Sequence, residues 1–412
     1  MISMNTPIGE TPLDRPGGLL GRPLDRVDGP LKVTGQAPYA YEYPQSAPTY
    51  AFVVIAGIAT GRLTAIDTSA AEKAPGVVLT LTYKNAPTQG PKTETSAPQL
   101  VDDKILHYGQ PIAVVVAETF EQARAAAYLI KPTYAAKTGA FDMASAMPEA
   151  VAPKPRNGNQ PDSRMGDVDS AFAAAPVKID VTYTTPPQSH AMMEPHATIA
   201  VWKDEALTLY TANQMLPRGV ETVASTLQIQ KEKVRLVSRY VGGGFGAKLA
   251  VEADAILAAL AAKMVNRPVK LALTRQQVFH VTTHRTDTIQ RLRLAAERDG
   301  TLTAIEHRSW SNNTPGQSFY ETAANATRSI YAAPNRLTEH RLTTLDLPVS
   351  SSMRAPGEAV GLLALECAMD EFAVALKMDP IELRIRNEPS EDPQMKAPFS
   401  SRMLVGLFNA LY

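Results

Sequence analysis

Apolar and polar positions in the first third of the chain alternate between strand-like and helix-like runs. Three runs predict strands: Ala51–Ile58, Val77–Tyr83 and the fully apolar Ile112–Ala117. A threonine suited to an N-cap opens each of two short helical patterns, Thr68–Lys73 and Thr119–Leu129. The pattern predicts a compact α+β domain.

A larger region follows, again with mixed periodicity. Strands are predicted at Val177–Thr184, Leu207–Tyr210, Val234–Val237, Val269–Leu273 and Ile289–Ala295. The run Glu252–Met264 predicts a helix with one apolar face. A second amphipathic helix carries Leu362, Leu365, Met369, Phe372 and Leu376 on one face.

The last residues also follow a helical pattern. Ser401–Tyr412 places Met403, Leu404 and Leu407 on one face and ends without a capping residue. A helix of about 12 residues with an exposed apolar face needs a surface to pack on. We therefore expect the natural polypeptide to continue.

Composition excludes several classes of protein. Basic and acidic residues balance at 41 each, which argues against nucleic acid or an anionic membrane as partner. The single cysteine, Cys367, rules out a cysteine-held zinc or iron–sulfur site within the chain. No apolar run approaches the ~20 residues of a membrane span. The polar start, Met1–Pro16, lacks a signal-peptide pattern, so we expect a cytoplasmic protein, with co-export by a signal-bearing partner as the periplasmic alternative.

The most distinctive motif is Val241–Lys248, VGGGFGAK, between a predicted strand and a predicted helix. Consecutive glycines let backbone amides approach an anionic ligand, and a following helix adds its positive end. Leu249 after the lysine breaks the P-loop pattern, and the GxGxxG of a dinucleotide fold is missing. A tight structural turn and a ligand cradle remain equal alternatives at this point.

Three further stretches carry polar groups that could serve a ligand. His190–His196 (HAMMEPH) fits no metal-ligand spacing, so we expect a buried, hydrogen-bonded His and Glu at a strand end. Arg354, just before a predicted helix, could bind an oxyanion, although a surface salt bridge is the default. Gln214, after a predicted strand, could donate an amide proton to a ligand oxygen, although a lone glutamine usually solvates a loop.

Nucleophilic catalysis finds little support. No GxSxG occurs, and Cys367 lies within an apolar helical pattern that predicts core packing. The carboxylates of Glu366, Asp370 and Glu371 are interpreted as solvated or capping charges.

Taken in order, Gln214, GGGFGAK and MRAPGEAVGLLALECAMDE resemble the large molybdenum-binding subunit of the xanthine dehydrogenase and aldehyde oxidoreductase family. The bacterial periplasmic aldehyde oxidoreductase type also carries GRPxDRxDGPLKxTG (here Gly21–Gly35) and TTHR (here Thr282–Arg285). Pro and Gly near the start predict an N-terminal arm at 1–32, and a stretch without a clean period predicts a linker at 141–164. The resemblance implies an α/β hammerhead domain at 33–140 and the first molybdopterin-binding domain at 165–412, ending before the second.

The resemblance also implies residue roles. Gln214 would hydrogen-bond an oxo ligand of molybdenum, Gly244 and Phe245 would wrap the metal–dithiolene end of the cofactor, and Arg354 would lie beside it. The pterin dithiolene holds the metal in this family, so no protein metal ligand is expected. The implied cofactor is molybdopterin, as the cytosine dinucleotide in bacterial relatives, with [2Fe-2S] and FAD on partner subunits.

Three departures from the purine-oxidising members favour aldehydes as substrates. Leu249 replaces a glutamate, Pro356 replaces a phenylalanine, and Thr322 stands where a second purine-binding arginine is expected, upstream of Tyr331. A less polar pocket cannot supply the hydrogen bonds that a purine needs.

The family's general base is a glutamate in a late GxGE segment, which does not occur in these 412 residues. A general base must reach its proton within hydrogen-bond distance, so we expect no catalytic residue here and no turnover by this chain alone. Three interpretations stay open: a fragment of an aldehyde-oxidising subunit, a non-catalytic cofactor-binding or assembly subunit completed by a separate C-terminal chain, or a remnant that binds no pterin.

Overall fold

The computed structural model describes residues 22–93, 96–155 and 160–411, with strands and helices in mixed order. Its strands are β1 (Thr49–Ile55), β2 (Gly61–Asp67), β3 (Val77–Thr82), β4 (Lys104–Ile105), β5 (Pro111–Ala117), β6 (Lys131–Ala136), β7 (Ser163–Met165), β8 (Val177–Thr185), β9 (Ala197–Lys203), β10 (Ala206–Thr211), β11 (Val234–Val237), β12 (Val269–Ala272), β13 (Thr288–Ala296), β14 (Leu302–Asn313) and β15 (Asn335–Thr344). Its α-helices are α1 (Gly29–Val33), α2 (Ser69–Glu72), α3 (Phe120–Ala127), α4 (Met143–Ala146), α5 (Val168–Ala174), α6 (Leu216–Leu227), α7 (Ala253–Val265), α8 (Arg275–Val281), α9 (Glu358–Leu376), α10 (Pro380–Arg386) and α11 (Leu404–Leu411). The predicted α+β class is confirmed.

The largest sheet has seven strands in the order β11-β10-β9-β12-β1-β5-β3. Parallel pairing of β1 with β12, with Thr49 opposite Val269, joins strands from the two predicted domains. Helix α7 packs on this sheet, and its side chains share one apolar core with β3, β5 and β10. Every residue of β5 is buried, as its apolar run predicts.

A second sheet has five strands in the order β7-β15-β14-β13-β8, and helix α9 packs on it. The buried side of α9 includes Leu365, Met369 and Phe372, which confirms most of the predicted apolar face. A smaller sheet, β4-β2-β6, completes the N-terminal region. Helices α7 and α9 thus anchor the segments that lead into them, 242–252 and 352–357.

Local signals predicted α3 correctly. The Thr119 side chain accepts a hydrogen bond from the amide of Gln122, and the Gln122 side chain accepts one from the amide of Thr119. This reciprocal capping box satisfies two backbone donors that the helix would otherwise leave unpaired.

Several sequence predictions are wrong in detail. Helix α7 is buried on nearly all sides, from Ala253 to Ala262, where one face was expected. Cys367 is exposed, where core packing was expected. A short helix, α1, forms in the predicted arm because Pro30 supplies a helical φ near its start, although most of that arm (1–21) lies outside the described residues.

The carboxylates on α9, predicted as solvated or capping charges, are partly buried or exposed and also have side-chain partners on other elements. Glu366 accepts hydrogen bonds from the Tyr331 hydroxyl and from Arg384, which also pairs with Asp370. Glu371 accepts a hydrogen bond from the Tyr183 hydroxyl. Their partners lie on other elements, so the helical spacing alone did not reveal them.

None of the helices in the described part of the chain is both long enough and apolar enough to span a membrane.

Candidate functional site

The glycine loop, residues 242–248, lies between β11 and α7 and depends on bare backbone. A Cβ on Gly244 would lie 2.4 Å from Gln214 Oε1, and a Cβ on Gly246 would lie 2.2 Å from the carbonyl oxygen of Ser352. Phe245 has a left-handed φ of 52°, which is costly for a bulky residue. Such strain is typical of sites where the backbone meets a ligand.

Gln214, after β10, is tied to this loop. The side-chain Oε1 accepts hydrogen bonds from the backbone amides of Gly246 (3.2 Å) and Lys248 (3.3 Å). The backbone amide of Gln214 donates to the Lys248 carbonyl at 2.7 Å. Both backbone N–H groups point to the same side of the carboxamide, so its oxygen must lie on that side. Nε2 therefore faces away from the glycine loop and can donate to a ligand.

The arginine loop, residues 352–357, leads into α9 and lies against the glycine loop. The amide of Arg354 donates to the Phe245 carbonyl at 2.8 Å. Ala355 and Gly357 both have positive φ, 56° and 84°. The structure therefore brings together Gln214, Gly244, Phe245 and Arg354, the residues that the sequence singled out.

Several donors at this junction are unused within the described residues. The amides of Gly243, Gly244 and Phe245 donate no hydrogen bond to any described residue. The exposed guanidinium of Arg354 likewise has no hydrogen bond or ion pair to the residues described. Consecutive free amides and a nearby guanidinium suit an anionic or oxo-bearing ligand.

A buried Arg–Glu pair supports the arginine loop from below. Arg285 donates to the carbonyls of Met353 (2.8 Å) and Arg354 (2.5 Å), and its Nε lies 3.6 Å from Glu321 Oε1. Glu321 accepts a hydrogen bond from the Gly357 amide at 2.5 Å. Burial raises the pKa of this carboxyl. Sequence reasoning gave neither residue a role, although Arg285 lies in the TTHR element.

The HAMMEPH segment lies beneath the glycine loop. His190 is buried, and its ring nitrogens contact the carbonyls of Thr283 and Ser352. Glu194 accepts hydrogen bonds from Gly242 and Lys248 just before β9. The expectation of a hydrogen-bonded His and Glu at a strand end is confirmed, with His190 buried and Glu194 only partly buried.

The helix after the glycine loop contributes less than the sequence suggested. Helix α7 begins at Ala253, so residues 249–252 separate its N-terminus from the loop. Its N-cap residue, Glu252, has a carboxyl oxygen that is buried with no hydrogen-bond partner among the described residues. The unused amides of the loop itself are therefore the main backbone donors at the site.

The three positions interpreted from the sequence as unfavourable to purines lie in or next to these loops. Leu249 donates its amide to the Gly246 carbonyl, and Pro356 is part of the arginine loop. A Cβ on Gly357 would lie 2.4 Å from Thr322 Oγ1. None of these three residues carries a cationic side chain.

Comparison with known proteins agrees with this geometry. The molybdopterin cofactor-binding domain family matches residues 151–388, and the aldehyde oxidase and xanthine dehydrogenase a/b hammerhead domain family matches residues 34–138. The chain is 50% identical to the aldehyde oxidoreductase molybdenum-binding subunit PaoC of Escherichia coli (strain K12), over 98% of this chain and 55% of that protein.

Two other relatives extend the comparison. The nicotinate dehydrogenase large molybdopterin subunit of Eubacterium barkeri is 29% identical, over 90% of this chain and 89% of its own length. The structure of the aldehyde oxidoreductase from Desulfovibrio gigas aligns with a TM-score of 0.82 and 25% identity, over 94% of this chain and 45% of that one. The chain spans about half the length of PaoC and of the Desulfovibrio enzyme.

The matched domains cover most of the described residues, and their order is the one that the sequence motifs predict. The fold is thus a hammerhead domain followed by a molybdopterin-binding domain. The chain belongs to the molybdenum-binding subunits of the aldehyde oxidase and xanthine dehydrogenase family.

Proposed function

We propose that this chain is the cofactor-binding part of a molybdenum-dependent oxidoreductase that converts aldehydes to carboxylic acids with oxygen taken from water. The observation that carries the proposal is the junction of Gln214, the glycine loop and the arginine loop. Two backbone hydrogen bonds orient the Gln214 carboxamide, and the Phe245–Arg354 hydrogen bond joins the loops.

The residues at this junction fit a molybdopterin. Gln214 Nε2 offers a donor group to an oxo ligand, and the Gly244 and Phe245 amides, which donate to no described residue, offer backbone donors beside it. Arg354 supplies a fixed positive charge for an anionic part of the cofactor. When bound, the molybdenum group supplies the redox chemistry of the hydroxylation. The protein would bind and orient it through Gln214, the glycine loop and Arg354.

Aldehydes are the proposed substrates because the loop borders lack purine-binding groups. Leu249, Pro356 and Thr322 offer no charged side chain where purine-oxidising relatives carry polar or aromatic contacts. A site that makes no hydrogen bonds to the polar atoms of a heterocycle does not bind a purine more tightly than a smaller carbonyl compound. The identity to PaoC, named as an aldehyde oxidoreductase subunit, supports the same choice.

The general base and the electron-transfer centres are proposed to lie outside residues 1–412. No GxGE segment occurs in the sequence, and one cysteine cannot hold an iron–sulfur cluster. We expect [2Fe-2S] and FAD on partner subunits, and the cytosine dinucleotide form of the cofactor. Residues 1–412 alone are expected to show no turnover.

A second candidate function rests on a different observation. The Eubacterium barkeri subunit is matched over 89% of its own length, so a chain of similar extent occurs as one molybdopterin subunit of another enzyme. Under this alternative, the chain binds the cofactor and a separate polypeptide supplies the base. A neighbouring reading frame that encodes GxGE would favour it.

The test is an assay of the natural polypeptide that contains residues 1–412, coexpressed with its partners and the molybdopterin pathway. We expect bound pterin and molybdenum, oxidation of an aromatic or aliphatic aldehyde, and no oxidation of xanthine. Xanthine turnover above aldehyde turnover would contradict the substrate assignment. Absence of pterin from the purified protein would contradict the cofactor assignment.

A further inference from the structure

A buried ion pair lies directly beneath the glycine loop. Lys248 Nζ is 2.8 Å from Glu194 Oε2 and 3.0 Å from the Glu194 carbonyl oxygen. The Lys248 side chain is 0% exposed and that of Glu194 is 14% exposed. The two charged groups therefore do not belong to an open substrate-binding surface.

The pair connects the two ends of the loop. Glu194 Oε2 also accepts a hydrogen bond from the Gly242 amide at 2.7 Å, and the Glu194 amide donates to the Gly242 carbonyl at 3.0 Å. A Cβ on Gly242 would lie 2.5 Å from Glu194 Cβ, so the close approach requires glycine. Gly242 is the first residue of the loop and Lys248 is the last.

Lys248 is also tied to Gln214 through its backbone. Its amide donates to Gln214 Oε1 at 3.3 Å, and its carbonyl accepts from the Gln214 amide at 2.7 Å. Moving Lys248 would therefore move one of the two donors to the Gln214 carboxamide oxygen and also the acceptor that holds the Gln214 backbone.

We infer that Glu194 and Lys248 are positioning residues, which hold the ends of the glycine loop together and thereby aim the Gln214 carboxamide at the cofactor. The cofactor part of this inference rests on the proposed function. The part that concerns the loop rests on the contacts of this chain alone.

The alternative is that the pair only stabilises the core. Desolvation lowers the pKa of Lys248 despite the nearby Glu194, which shows that burying the ammonium is costly. Replacing a buried ion pair with neutral groups of similar size is often neutral or stabilising, whereas removing one partner leaves a buried unpaired charge. A role in holding the glycine loop in shape therefore explains the ion pair better than a contribution to the stability of the folded protein does.

The double variant Glu194→Gln/Lys248→Met separates the two explanations, because it removes both charges and keeps an acceptor for Gly242. The single variant Lys248→Met leaves Glu194 unpaired.

The control is Arg293→Met/Glu306→Gln, which neutralises another largely buried ion pair, between β13 and β14. Its outer partners are more exposed than the pair itself: Asp169 is 62% exposed, and Arg308, 31% exposed, keeps Glu339 as a partner. All variants are made in the natural polypeptide that contains residues 1–412.

Hydrogen exchange of the cofactor-free protein is the primary measurement. We expect the double variant to melt near the parent temperature, while the Gly246 and Lys248 amides exchange about tenfold faster, as for a lost hydrogen bond. In protein made with the cofactor pathway, we expect pterin content to fall about fivefold or more. The Arg293/Glu306 control should leave both readouts unchanged.

Parent-like exchange in the double variant would overturn the inference, as would an equal exchange increase in the control. If the double variant does not fold, Glu194→Asp, which keeps both charges and shortens the carboxylate by one methylene, decides by the same exchange measurement, and unchanged exchange overturns the inference. If the parent binds no pterin, the proposed function fails, and the exchange data still decide whether the pair positions the loop.

Discussion

At the scale of single residues, Glu252 is the clearest source of pH dependence. Its Oε1 is buried without a hydrogen-bond partner among the described residues, and burial, with a smaller effect of Asp254, raises its pKa to about 8. The folded chain therefore keeps a proton that the unfolded chain loses above its ordinary pKa of 4.5. Stability should fall as the pH rises from about 4.5 to about 8, and then level off.

The variant Glu252→Gln should remove this dependence, because the amide mimics the protonated carboxyl. We expect similar urea-unfolding free energies for parent and variant at low pH, and an advantage for the variant on the order of 5 kcal/mol above pH ~8. Parallel stability curves for the two proteins across this range would show that the carboxyl is ionised when folded.

The sequence identified the groups that face the proposed ligand better than the groups beneath them. Gln214, Gly244, Phe245 and Arg354 lie in short motifs whose order along the chain could be recognised, and the structure places them together. Their ligand-binding roles stay predictions.

The supporting residues could not be found in this way. Along the sequence, Glu321 is 36 residues from Gly357, whose amide donates a hydrogen bond to it, and Lys248 is 54 residues from Glu194. No local pattern marks a side chain whose partner is so distant.

At the scale of elements, local sequence patterns predicted the positions of several helices and strands correctly. The all-apolar run of β5 and the threonine cap of α3 were predicted correctly. Strand β14 was missed because it buries the polar residues Glu306 and His307, which hide its apolar alternation. Helix α7 was predicted to bury one face, but it is buried on nearly all sides. The spacing of its apolar residues therefore did not identify how it packs.

At the scale of the whole molecule, the main feature is a sheet shared by both matched domains. Strands β1, β3 and β5 come from the hammerhead segment, and β9–β12 come from the following domain. Their side chains form one core, in which Val114 and Val116 join Ile256 and Leu257. Residues 141–164, predicted as a linker, contain α4 and the start of β7, which pairs with β15, so this segment is part of the fold as well as a connection between two parts that share a sheet.

Cutting this connection should leave the two parts associated. With a protease site inserted after Lys154, we expect the cleaved fragments to elute together in size-exclusion chromatography. Burial of a shared apolar core and the β1–β12 hydrogen bonds should hold them. Separation of the fragments without denaturant would show that the shared sheet contributes little to their association.

The most direct test of the whole account measures pterin and molybdenum per chain in Gly244→Ala. The added Cβ would meet Gln214 Oε1 at 2.4 Å and displace the carboxamide. Gly57→Ala is the matched control, because a Cβ there meets nothing within 4 Å. We predict that Gly244→Ala folds but holds about tenfold less cofactor, by analogy with the effect of altering groups that orient a bound metal, while Gly57→Ala holds the parent amount. Equal cofactor content in Gly244→Ala and the parent would contradict the assignment of this junction as the molybdopterin site.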